Sequence, residues 1–112
     1  MKYDELTPAT RAELDAELGS GDGTRISTAL IRAALYDPDR AYVESLIVKF
    51  IRHDDAWVRS VSATAAGHIA RIHRQIAAGL VPLIKDLLID ERTNGEAQDA
   101  LDDIETFVGP LS

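Results

Sequence analysis

The chain has 112 residues, a formal net charge of −7 and no cysteine, so it can bury one modest core and can form neither disulfides nor thiolate metal sites. Hydrophobic residues make up 46% and aromatics only 5%, which excludes a disordered chain and suits closely packed helices. A pI of about 4.8 opposes binding to nucleic-acid phosphates and favours basic partners, although the same charge also serves solubility.

Six helical segments are predicted in chain order. The first spans about Pro8 to Leu18, with Thr7 as N-cap and Pro8 at the first helical position. Gly19-Ser20-Gly21-Asp22-Gly23 is a turn, because no strand precedes it and no Gly-Lys-Ser/Thr follows to make a phosphate loop. The second helix, about Thr24 to Tyr36, carries the amphipathic stripe Ile26, Ala29, Leu30, Ala33 and Ala34. Asp37 and Pro38 are expected to end it and to serve as N-cap and first residue of the third. That helix repeats the stripe with Val43, Leu46, Ile47, Phe50 and Ile51. Asp54 or Asp55 caps a fourth helix reaching about His73. After Ala77-Ala78-Gly79 comes a fifth with Leu80, Leu83, Ile84, Leu87 and Leu88, and Pro82 must lie in its first turn. The sixth, with Asn94 as candidate cap, carries Ala97, Ala100, Leu101, Ile104 and Phe107, and Gly109-Pro110 stops it. Short connections force antiparallel neighbours. The predicted fold is therefore all-α, with three antiparallel helical hairpins in one domain over residues 1–112.

The fourth helix is apolar along Val58, Val61, Ala65, Ile69 and Ile72, with a second face of Ala63, Ala66, Gly67 and Ala70. A helix covered on two sides belongs in the middle of a stack, and its small residues let a neighbour approach closely. Periodicity supports this placement. Asp54-Asp55-Ala56-Trp57-Val58-Arg59, followed by Ala63, Ala66, Gly67 and Ile69, resembles the second helix of a HEAT repeat. The likeness covers Asp37 to Ile72 well and Leu80 to Val108 in part, since Gly95-Glu96-Ala97 stands where Val-Arg is expected. The resemblance implies a short HEAT-like α-solenoid.

Two surfaces are candidates for binding. Trp57, Ser60, Thr64, His68 and Arg71 share one face of the fourth helix. In HEAT-like stacks that face lines the concave surface, and Trp and Arg are favoured anchors. The competing structural role is that Trp57 closes the core edge while Arg71 serves the helix C-terminus. The second candidate is Asp99, Asp102, Asp103 and Glu105 of the last helix, where negative charge opposes the helix dipole by about 0.3–1 kcal/mol. Such acids either meet a basic partner or make the solvated face of a terminal capping helix. No catalytic residues are assigned: His68 and His73 diverge by roughly 140° on a helix, and adjacent aspartates do not face each other. No metal and no cofactor are expected.

No stretch approaches the roughly 18 apolar residues that would span a bilayer. Met1-Lys2-Tyr3-Asp4-Glu5 lacks the basic-then-apolar order of a signal peptide. The expected location is therefore cytoplasmic.

The whole chain is also similar to small bacterial single-domain HEAT-repeat proteins, through Ala66-Gly67-His68-Ile69-Ala70-Arg71-Ile72-His73 and the segment from Asp99 to Val108. Some of these belong to toxin–immunity systems of the contact-dependent growth inhibition type. The resemblance implies a non-enzymatic immunity protein that masks a basic toxin domain, a nuclease in the first instance. The alternative is an adaptor or scaffold that binds a peptide or protein on the concave face. Two exposed end faces leave the oligomeric state open.

Overall fold

The computed structural model describes residues 6–111. Residues 1–5, where a signal-peptide pattern was sought, lie outside that range. The described residues form α1 (Arg11–Leu18), α2 (Gly23–Tyr36), α3 (Arg40–Phe50), α4 (Ala56–His73), α5 (Leu80–Asp86) and α6 (Asn94–Phe107). A 3-10 turn, Leu87–Ile89, extends α5, and there is no strand among the described residues. Successive pairs make three hairpins. Their second helices lie side by side, with α4 packed most extensively against α2 and α6. The result is an all-α, solenoid-like stack.

Helix starts follow from which side chain can satisfy the free amides of a first turn. α1 begins three residues later than the Thr7–Pro8 reading. Thr10 and Glu13 make a reciprocal capping box, in which Thr10 Oγ1 accepts from Glu13 N at 3.1 Å and Glu13 Oε1 accepts from Thr10 N at 3.3 Å. Two amides are satisfied there, whereas Thr7 offers one acceptor. The carbonyls of Thr7 and Pro8 instead accept from Arg32 of α2, at 2.8 and 3.0 Å. α3 is capped by Asp39, not Asp37: Asp39 Oδ1 accepts from Tyr42 N at 3.1 Å. Pro38 drives Asp37 into an extended conformation, ψ 123°. Asp37 then ends α2, and its carboxylate receives Arg11 Nε at 2.9 Å.

Asp55 caps α4, accepting from Trp57 N at 2.8 Å. Pro82 occupies the third position of α5, where a missing N–H costs nothing. Asn94 is the first residue of α6 rather than its cap. Its amide, like that of Thr93, bonds to the Asp90 carbonyl. Thr93 is buried, and its hydroxyl donates to the Leu87 carbonyl at 2.8 Å, so it ties the 3-10 turn to α6.

The core follows the two-faced character of α4. Val58 and Val61 join Ile26, Leu30, Ile31 and Phe50. Ala63, Ala65, Ala66, Ile69 and Ala70 join Leu80, Ile84, Ala97, Ala100, Leu101 and Ile104. Ile72 departs from the expected apolar stripe: it is 42% exposed. Gly67 faces α6 at close range, and a Cβ there would stand 3.5 Å from Ala100 Cα and 2.9 Å from Asp103 Oδ2. Gly23 plays the same part at the other side of α4, where an added Cβ would collide with the Asp55 carboxylate.

Candidate functional site at the seam of α4 and α6

The polar face of α4 is narrower than its sequence spacing suggested. Ser60 is buried, and its hydroxyl donates to the Arg92 carbonyl at 3.2 Å. It therefore fastens the loop before α6 to α4 and splits the stripe in two. On one side lies Trp57, 51% exposed, at the start of α4. On the other lie Thr64, His68 and Arg71. Thr64 is half-buried, and its hydroxyl bonds back to the Ser60 carbonyl at 3.2 Å. Arg71 is exposed, and its guanidinium stands 3.1 Å from His68 Nδ1. A guanidinium has no acceptor, so Nδ1 accepts and the imidazole proton resides on Nε2. Burial, reinforced by the Arg71 charge, holds His68 below the ordinary imidazole value.

α6 brings Asp103 to the same seam. Asp99, Asp102 and Glu105 are exposed and Asp103 is half-buried. The Asp103 carboxylate lies directly over Gly67, one residue before His68, and it feels the charge of Arg71. The two surfaces that the sequence presents separately are thus adjacent. Burial raises Asp103 above the usual carboxylate value; Arg71 opposes this, while Asp99 and Asp102 add to it. Asp102 accepts a hydrogen bond from Gln98 at 3.0 Å.

Ion pairs are distributed unevenly over the described residues. Outside α6 some carboxylates find cations, Asp37 and Asp39 with Arg11, Glu17 with Arg25, Glu13 with Arg32, and Glu44 with Arg40, while Asp15, Asp22, Asp54, Asp55, Asp86 and Glu91 join none. Asp90 receives both Arg59 and Arg92, which lower it to about 2, with the Arg92 hydrogen bonds leading. Among the described residues none of the α6 carboxylates joins an ion pair. α6 also has no basic residue in its last turn. Its negative charge is left for solvent or for a partner.

Two contributors were not singled out from the sequence as parts of this site. Gly67 signalled close packing, yet its further effect is to seat the Asp103 carboxylate. Arg59 bonds the His53 and Asp54 carbonyls at 2.8 and 2.9 Å and reaches Asp90 at 3.3 Å. It links the middle hairpin to the last one, even though that hairpin lacks its own Val-Arg. Among the described residues no group of three metal-ligating side chains converges. No helix there is long and apolar enough to cross a membrane.

These elements define a stack of helical hairpins with an acid-rimmed seam. A chain in the crystal structure of a CDI complex from Cupriavidus taiwanensis LMG 19424 is similar to it, with a TM-score of 0.82 and 29% sequence identity over 96% of this chain and 97% of that chain. No protein-family model matches the chain, and no curated protein does.

Proposed function

We propose that this chain is an immunity protein of a contact-dependent growth inhibition system, which neutralises a cognate toxin by binding and masking it, without chemistry of its own. The observation that carries this is the likeness, over nearly the full length of both chains, to a chain of a CDI complex. The unpaired α6 carboxylates support it. Unpaired acids attract a basic surface and speed encounter, and the phosphate-binding cleft of a nuclease is such a surface. In this reading Asp99, Asp102, Asp103 and Glu105 steer the toxin, while Trp57, Thr64, His68 and Arg71 pack against it. The hairpins are HEAT repeats, and the Arg59–Asp90 link is the inter-repeat rung. Binding takes place in the cytoplasm.

The half-exposed Trp57 favours a second reading, an adaptor that grips a peptide or protein on the α4 face. One experiment separates the two. Tagged protein is recovered from its native cells, and the association rate of whatever co-purifies is measured across a salt series. A single basic toxin domain is expected, binding more slowly as salt rises. Replacing Asp99, Asp102 and Asp103 together by Asn should slow its association at least about tenfold while helicity is retained. Unchanged association would refute the steering role of this face. Salt-independent binding of a non-toxin protein, lost mainly through faster dissociation in Trp57→Ala, would establish the adaptor instead.

A further inference from the structure

A groove of about 570 Å³ opens at the end of the stack. Its walls are Val81, Pro82 and Lys85 of α5, Ile104 of α6, Val108 at the end of that helix, and Leu111, which folds back across the hairpin. Leu111 and Val81 pack against the main core cluster, so the floor of the groove is continuous with the hydrophobic interior. The volume lies within the roughly 300–1,000 Å³ typical of small-molecule sites, which are mostly apolar with a few fixed polar groups. Among the described residues Lys85 is the sole charged one that lines it. It is exposed and, among the described residues, joins no ion pair.

None of the acids of α6 lines this groove. At about 100° per helix residue, positions 99, 102 and 103 project at least that far from Ile104 and Val108, while position 105 stands about 60° from Val108. An unpaired ammonium thus stands at the mouth of an aliphatic groove, in a chain whose other face is acidic. We infer that this groove binds a single-chain amphiphile with an alkyl body and one negative head, such as a fatty-acid carboxylate. The alkyl chain lies against Val81, Ile104 and Val108, and the head pairs with Lys85.

The test is titration of the full chain with dodecanoate below its micellar concentration, followed by amide chemical shifts. Shifts are expected at Val81, Lys85, Ile104 and Val108. Affinity should rise by up to about fourfold per methylene from octanoate to dodecanoate. Dodecanol should bind more weakly than dodecanoate, and Lys85→Gln, a change at an exposed position, should abolish that difference while leaving the helical spectrum intact. Three results would overturn the inference: no shifts at the groove, shifts spread over other exposed apolar residues such as Trp57 and Ile89, or a carboxylate preference that survives Lys85→Gln.

Discussion

Replacing Gly67 by alanine adds one methyl group where α4 faces Ala100 and Asp103 of α6. The added carbon would stand 3.5 Å from Ala100 Cα, an ordinary contact, and 2.9 Å from Asp103 Oδ2, which is too close. The second neighbour is the tip of a half-buried side chain, so a small rotation of the carboxylate relieves the clash and the backbones need not part. Against that minor adjustment stands the helix preference of alanine over glycine, about 0.8–1.0 kcal/mol. Gly67→Ala should therefore leave stability unchanged or raise it by up to about 1 kcal/mol. Gly67→Leu shares nearly the same helix preference, but its further carbons have only Ala100 and Asp103 to push against. Overpacking of this kind costs about 1–3 kcal/mol. The difference between the two variants thus isolates packing from propensity. Thermal unfolding followed by circular dichroism should separate them by several degrees, since about 1 kcal/mol moves Tm by roughly 4–8 °C in a domain of 60–100 residues and somewhat less in larger ones. Equal melting temperatures would show that α6 does not approach α4 at Gly67. A large loss in the alanine variant would show that the Asp103 carboxylate cannot move.

Asp103→Asn should raise Tm at neutral pH, because the fold holds this carboxyl above its unfolded value near 3.8 and so disfavours its charge. The gain should emerge as pH rises through that value and vanish well below it; an unchanged neutral Tm would refute it. Asp90 has the opposite sign. Its folded value of about 2 makes its stabilisation complete above roughly pH 4 and lost as pH falls toward 2, so Asp90→Asn should flatten the acid limb of a Tm-versus-pH curve, and parallel curves would show that its links to Arg59 and Arg92 do not stabilise the fold. Thr10→Ala should cost about 0.5–2 kcal/mol in urea unfolding through loss of the capping box, while Thr7→Ala should cost much less; the reverse order would return the start of α1 to Thr7.

Periodicity alone determined the number, type and order of the helices. Stripes such as Ile26–Ala29–Leu30–Ala33–Ala34 record a burial pattern that the fold then satisfies. The central place of α4 was legible for the same reason: a helix apolar on one face and small on the next can be satisfied only between two neighbours. Cap positions were less legible, because Thr7 and Thr10, or Asp37 and Asp39, are chemically equivalent as single residues. Local partners favoured one of each pair, Glu13 completing a capping box with Thr10 and Pro38 holding Asp37 extended, and contacts distant in sequence, Arg32 with the Thr7 carbonyl and Arg11 with Asp37, engage the other. Packing also decided that Ser60 is a fastener rather than a surface residue, that Ile72 is exposed, and that Asp103 of α6 lies over Gly67 within reach of the Arg71 charge. The groove beside Lys85 gave no signal in the sequence. It exists only where the residues after α6 fold back across α5, and a cavity is a property of surfaces brought together in space. Local chemistry determined the elements; which charges meet, and which are left unpaired, depended on distances that only the tertiary structure sets.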